Sequence, residues 1–364
     1  MKKIDIIAGA RPNFMKIAPL FKASKKIDKD LLNFELRLIH TGQHYDDSMS
    51  EAFFSDLGIP KPDFNFNVGS GSHAEQTAKI MIEYERLLNK DASYLCIVAG
   101  DVNSTIACAI AAKKQKILVG HIEAGLRSHD LSMPEEINRI VTDSISDYFF
   151  TTTKEAGDTL IHSGIKEENI FFVGNTMIDS LQSNLSNFKK PSLYDDLGLE
   201  DGKFLLLTLH RPANVDEETE LERILDSITS ASNDMPIIFP VHPRTQNILN
   251  KKNPNFMGIK FIPPQSYLEF MYLLKNSFAV ITDSGGITEE STILNIPCMT
   301  IRDNTERPET VKIGTNELIG TDHRKFRPWF EKLFKSQWKN GTAPEKWDGK
   351  AGERIVNILQ KLTS

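Results

Sequence analysis

The residues best suited to hold an anion lie at 280–295, VITDSGGITEESTILN. A short apolar run leads into Asp283-Ser284-Gly285-Gly286, and a helix-like segment comes next. Two adjacent glycines let a backbone approach a ligand without Cβ obstruction. A helix start adds unpaired N–H groups and the positive end of the dipole, which together suit a phosphate. Ser284 contributes a hydroxyl at the same place, and Glu289 and Glu290 fall where the pattern predicts the first helical turn. Glu290 has a second reading, as an acceptor for sugar hydroxyls. A tight turn with an N-cap would explain an isolated Ser-Gly-Gly, so the weight rests on the residues just past the other apolar runs.

Those positions are polar throughout. Asp101, in Gly100-Asp101-Val102-Asn103-Ser104-Thr105, reads either as a helix N-cap or as an acid. Glu123, in His121-Ile122-Glu123-Ala124-Gly125-Leu126-Arg127, follows an apolar run and has no obvious capping role. Glu135 falls on the first turn of a helix that Pro134 starts, with Glu136 beside it as a structural carboxylate. Arg11 and Lys16 follow the first apolar run and suit an anion, or are solvated surface charges. His210 and His242 each follow an apolar run, a place where a packed histidine is as ordinary as a reactive one. Arg307 could grip a carboxylate or phosphate through its planar fork. Three carboxylates together with a phosphate site suit proton transfer at a carbon next to a leaving diphosphate.

Such groups need rigid elements behind them. Apolar, β-branched runs at 3–10, 34–41, 94–99, 117–122, 147–151 and 169–173 predict six strands in the first half of the chain. Runs at 204–209, 236–241, 259–262, 278–282, 297–301 and 317–319 predict six more. Amphipathic stretches such as 72–89, 135–146, 217–232 and 266–275 separate most of them. This alternation predicts an α/β fold with two Rossmann-like domains, their parallel sheets facing a central cleft. The seam falls in 181–203, where Ser, Asn, Lys, Pro, Asp and Gly replace the apolar pattern. The expected domains are 1–175 and 176–351, with a terminal helix at 352–364 as a candidate to complete the first. Ligands of open parallel sheets bind beyond the carboxyl ends of the strands, where these polar residues stand.

With 364 residues, 40% hydrophobic and 25% charged, the composition is that of a globular protein. A formal charge of −6 argues against general nucleic-acid binding. No apolar run approaches the ~18 residues of a membrane span, and Asp5 and Arg11 interrupt any signal-peptide core. The three cysteines form no Cys-x-x-Cys pair, and the nine histidines show no metal-ligand spacing. Neither membrane nor metal is expected, and the expected location is the cytoplasm. The loop 9–16 has one glycine and two cations instead of G-x-G-x-x-G, so the dinucleotide fingerprint is missing.

Taken in order, the stretches 9–16, 41–44, 100–105, 121–127, 134–139, 210–211, 264–265, 282–290 and 302–308 resemble the non-hydrolysing UDP-N-acetylglucosamine 2-epimerases. The resemblance spans nearly the whole chain. It implies a GT-B-like two-domain fold, a UDP-sugar substrate, no redox cofactor and a homodimer. It also implies elimination of UDP to a 2-acetamidoglucal and its return with inversion at C2. On this footing Asp101, Glu123 and Glu135 are the acid/base candidates, and Lys16 matches a position near the reacting centre. His210 matches a diphosphate-binding position and is counted with the catalytic candidates. Arg11, Gln265, Ser284, Gly285, Gly286, Glu290 and Arg307 are the substrate-binding candidates. Many bacterial members carry Gln-His-x-Gln at an activator site; here the stretch reads Gln43-His44-Tyr45-Asp46, and Gln43, His44 and His242 are the candidate allosteric residues. The family's His-Arg-Arg-Glu reads His210-Arg211-Pro212-Ala213. Asn13-Phe14 replaces the more usual Glu and small residue of the first loop, leaving a 3-acetamido-uronic acid sugar as an alternative substrate. A GT-B glycosyltransferase is the rival outside the family.

Overall fold

The computed structural model describes residues 1–43, 54, 57–215, 218–241, 256 and 258–364. The chain forms two compact units, Met1–Ser183 with Glu345–Ser364, and Asn184–Pro344. The second unit is thus an insertion into the first. Helix Thr176–Asn184 begins at the position where the second domain was expected to start, and all but its last residue belongs to the first unit.

The first unit holds β1 (Lys2–Ala8), β2 (Phe34–His40), β3 (Phe64–Asn65), β4 (Leu95–Ala99), β5 (Leu118–Ile122), β6 (Tyr148–Thr151) and β7 (Ile170–Phe172). All pair in parallel, in the order β3-β2-β1-β4-β5-β6-β7. Six strands were expected; the seventh, β3, has two exposed residues and so left no apolar signature. Strand β4 is buried from end to end, as expected for a strand covered on both faces. The one charge in the middle of β1, Asp5, is matched in register by Arg37 of β2, which donates to it at 2.6 and 3.1 Å. Strand order reverses between β1 and β4, so the loops after these two strands open at the switch point.

The second unit repeats the plan. Strands β8 (Leu205–Thr208), β9 (Ile237–Pro240), β10 (Ile259–Ile262), β11 (Ala279–Thr282), β12 (Cys298–Thr300) and β13 (Asn316–Leu318) run parallel in the order β10-β9-β8-β11-β12-β13. Leu205, Leu207, Ile237, Phe239, Ile281 and Met299 pack with Leu221, Ile224 and Ile228 of helix Glu218–Ala231 to form its core. Here the switch point lies between β8 and β11, whose last residues share a 2.8 Å hydrogen bond between the Thr208 and Thr282 hydroxyls.

The terminal helix, Ala351–Thr363, packs on helix Arg11–Lys25 of the first unit. Ile355, Val356 and Leu359 are its buried face. At Gly352 the approach is so tight that a Cβ would lie 2.8 Å from the Pro19 carbonyl. The Asp179 carboxyl accepts from the first two helix amides, Ala351 N–H at 3.1 Å and Gly352 N–H at 2.7 Å. Burial pushes the Asp179 pKa up to about 6 against the pull of those two amides.

Candidate active site

At the first switch point the loop after β1 turns into helix Arg11–Lys25 by way of Asn13. Its Oδ1 accepts from Ala10 N–H at 3.0 Å, and its Nδ2 donates to the Ala99 carbonyl at 2.8 Å. The loop is pressed so close to its neighbours that a Cβ on Gly9 would collide with the Ser104 side chain. This places Lys16, one turn into the helix, against Glu123, and the two form an ion pair. Both are shielded, with side-chain exposures of 12% and 3%. A carboxylate so buried is tolerable only with such a partner.

Glu123 itself stands in the left-handed region at φ 69°, unusual for a residue with a Cβ, while its amide donates to the Phe150 carbonyl at 3.0 Å. Gly100, at φ 67°, lies over the Lys16–Glu123 pair; a Cβ there would be 2.7 Å from Lys16 Nζ and 3.1 Å from Glu123 Oε2. Asp101 is the next residue. It is not the N-cap, since helix Asn103–Lys114 is preceded by Val102 and has no side-chain cap bond. Instead Asp101 Oδ2 accepts from Arg139 Nη1 at 2.6 Å. Arg139 also donates to Glu136, whose oxygens accept from Ser128 N–H at 3.0 Å and His129 N–H at 2.9 Å. Burial would raise the Glu136 pKa, but these amides and Arg139 outweigh it and hold the group ionised and structural. Glu135, on the first turn of helix Pro134–Ile145, shares a cavity of about 330 Å³ with Asp101, Gln43, His73 and Gln76.

Of the candidate activator residues, Gln43 lies on that cavity wall. Its Oε1 accepts from Ser104 N–H at 2.9 Å and from Ser104 Oγ at 2.6 Å. His44 and His242 lie outside the described residues.

The second switch point is organised by Asp283, a residue to which the sequence pattern assigns no role of its own. Its buried carboxylate accepts from His210 N–H, from Arg211 N–H at 2.9 Å and from Asn214 Nδ2 at 2.9 Å. His210 Nδ1 stands 2.9 Å from it, with the rest of the ring largely exposed. Burial raises the Asp283 pKa and this set of donors, His210 first, brings it below the usual carboxylate value. Ser284 occupies the N-cap position of helix Gly285–Leu294 but makes no side-chain cap bond. At Gly286 a Cβ would meet nothing within 4 Å, whereas at Gly285 it would meet Glu306 Oε1 at 2.5 Å.

Glu289 and Glu290 do not fall in the first helical turn, which holds no acidic residue. Both are buried in the second turn. Arg307 Nε pairs with Glu289 at 2.5 Å, and Tyr267 donates its hydroxyl hydrogen to Glu290 at 3.1 Å. Arg302, 3% exposed, donates through Nη2 to Glu306 at 2.7 Å, while its Nε and Nη1 have no partner among the described residues. Gln265 turns its amide onto the Pro263 carbonyl at 2.7 Å. Among the described residues no three His, Cys, Asp or Glu side chains gather to hold a metal ion, and no helix is long and apolar enough to cross a membrane.

So the first unit gathers Lys16, Asp101 and Glu123 beyond the ends of β1, β4 and β5, with Glu135 on the helix that follows β5. The second gathers His210, Ser284, Gly285 and Gly286 at the ends of β8 and β11. A family model described as UDP-N-acetylglucosamine 2-epimerase matches residues 25–360. The UDP-N-acetylglucosamine 2-epimerase of Methanocaldococcus jannaschii is 44% identical over 98% of each chain. The UDP-2,3-diacetamido-2,3-dideoxy-D-glucuronate 2-epimerase of Pseudomonas aeruginosa is 41% identical over 87% of this chain and 88% of its own. The crystal structure of the Methanocaldococcus jannaschii enzyme in complex with UDP-GlcNAc and UDP superposes with a TM-score of 0.87 over 99% of both chains. With a GT-B-like pair of Rossmann-type sheets and a match along almost its entire length, the chain belongs to the UDP-N-acetylglucosamine 2-epimerase family.

Proposed function

We propose that this chain interconverts UDP-N-acetylglucosamine and UDP-N-acetylmannosamine by elimination and return of UDP. A carboxylate takes the proton from C2, the C2–H electron pair becomes the C1–C2 double bond, and UDP departs with the C1–O pair. Proton delivery to the opposite face of C2 and attack of the UDP oxygen on C1 give the epimer. The sequence is redox-neutral and calls for no hydride carrier.

Asp101, Glu123 and Glu135 are the proposed proton-transfer groups. Lys16, ion-paired with Glu123, offers a cation near the reacting carbons. The departing diphosphate is taken by the amide-rich turn Ser284-Gly285-Gly286 with His210, Arg11 and Arg307, while Gln265 and Glu290 hold the nucleotide or sugar. The observation that carries this reading is the presence of two carboxylates just past adjacent strand ends, Glu123 paired with Lys16 and Asp101 with Arg139, and of Glu135 on the cavity that Asp101 lines, in a chain of this family. Gln43 on the Asp101 cavity, with His44 and His242, is the proposed activator subsite, and the working form is proposed to be a homodimer, which sedimentation tests.

Turnover of UDP-N-acetylglucosamine in deuterated water should label C2 as the manno epimer forms. Glu123→Gln and Asp101→Asn should each cost about 100-fold or more in turnover while UDP still binds. A protein that leaves C2 unlabelled and passes the sugar to an acceptor is a glycosyltransferase instead. The 3-acetamido-uronic acid nucleotide, run alongside, should turn over more slowly.

A further inference from the structure

The end of β5 carries a histidine that no step of the proposed reaction uses. His121 is 0% exposed and engaged at both ring nitrogens. Nδ1 lies 2.7 Å from Asp143 Oδ1, and Nε2 lies 2.9 Å from the Gly100 carbonyl oxygen. A carbonyl only accepts. Asp143 accepts too, because His121 and Arg127 outweigh the burial that would otherwise raise its pKa and hold it below the usual carboxylate value. Nε2–H therefore donates to Gly100, and Nδ1 is bonded to the Asp143 carboxyl group. The second Asp143 oxygen accepts from Gly125 N–H at 3.2 Å and from Arg127 Nη1 at 2.6 Å.

The two ends of this chain of bonds are the two turns that carry the acids. Gly100 immediately precedes Asp101, and Gly125 stands two residues beyond Glu123. Gly100, Glu123 and Gly125 all adopt left-handed backbone, at φ 67°, 69° and 82°. Of the three only Glu123 has a Cβ and pays for that backbone, which persists where its surroundings over-determine it, and here the surroundings include one imidazole and one carboxylate. The geometry points to His121 as a positioning residue for the epimerisation: with Asp143 it ties the Gly100 carbonyl to the Gly125 amide and so fixes the separation of Asp101 and Glu123. This rests on the epimerase reading. A clamp of this kind acts on turnover, because small misplacement of proton-transfer groups is felt most in the transition state. A buried histidine that only filled space would change stability and leave turnover per folded molecule intact.

The test uses the full chain carrying His121→Gln, Asp143→Asn, or both. A glutamine donates from one end only, and an asparagine keeps the size of Asp143 while losing its charge. For each, kcat, KM for UDP-N-acetylglucosamine and the rate of C2 deuterium wash-in are measured per UDP-binding site counted by calorimetry. Expected for each single variant is a loss of about tenfold or more in kcat and in wash-in, with KM within about threefold of the parent. The double variant should lose no more than the worse single, since the two side chains act as one clamp. A smaller loss in kcat, a KM rise that accounts for the whole effect, or losses that multiply in the double would overturn the assignment. Asp143→Asn decides the matter alone if His121→Gln does not fold. A parent that neither epimerises nor exchanges C2 would sink the epimerase reading and not this clamp in particular.

Discussion

Glu306 illustrates how much a single carboxylate depends on its neighbour. It touches the position where a Gly285 side chain would begin, and it accepts from Arg302 Nη2 at 2.7 Å. Burial alone would raise its pKa, but Arg302, with Arg307 behind it, brings the group down to about 2 from 4.5. A depressed folded-state pKa means stability that is present above 4.5 and lost as pH falls toward 2. The shift corresponds to a stabilisation on the order of 3 kcal/mol at neutral pH. Glu306→Gln should therefore destabilise the second unit by about that much at pH 7. The gap between variant and parent should narrow by about half as pH is lowered from 5 to 3 and go on closing toward pH 2, measured by urea unfolding at each pH. A gap that stays constant over that range would mean that the charge of Glu306 is not what Arg302 requires.

At the scale of elements, Gly352 decides how the terminal helix seats. Its missing side chain lets helix Ala351–Thr363 lie against the backbone at Pro19, where even a methyl would be 2.8 Å from the carbonyl oxygen. Gly352→Ala must push the helix away, an overpacking that costs about 1–3 kcal/mol. Amide exchange at 353–363 should quicken accordingly, and unchanged protection there would refute the close contact. The sequence announced this helix and its buried stripe but not its seat, because periodicity reports a face and not what covers it. The same limit explains the other misses. Glu123 and Ser284 were legible because each follows an apolar strand. Asp283 was not, since its role consists of accepting backbone and side-chain hydrogens from the loop at His210 and Arg211, some seventy residues earlier in the chain. Asp101 could be read as a helix cap as well as an acid because its partner, Arg139, lies on a different helix. Strand β3, two exposed residues long, had no pattern to read.

Over the whole molecule the relevant fact is that each unit has a complete sheet and its own buried cluster, and that the chain enters the second unit after Ser183 and leaves it at Pro344. A body with its own core can melt as its own cooperative step. Calorimetry of the full chain should then resolve two transitions. Gly352→Ala should lower only the one that belongs to Met1–Ser183 with Glu345–Ser364, and Glu306→Gln only the one that belongs to Asn184–Pro344. UDP should raise the transition that Glu306→Gln lowers, by about 2.7 kcal/mol at a hundredfold excess over its dissociation constant, because a ligand stabilises the body that carries its contacts. The assignment of the diphosphate cradle to the ends of β8 and β11 depends on that pattern. If UDP instead raised only the transition that Gly352→Ala lowers, the anion would be held by Arg11 and Lys16 of the first unit, and the turn at Ser284-Gly285-Gly286 would be no more than the start of a helix.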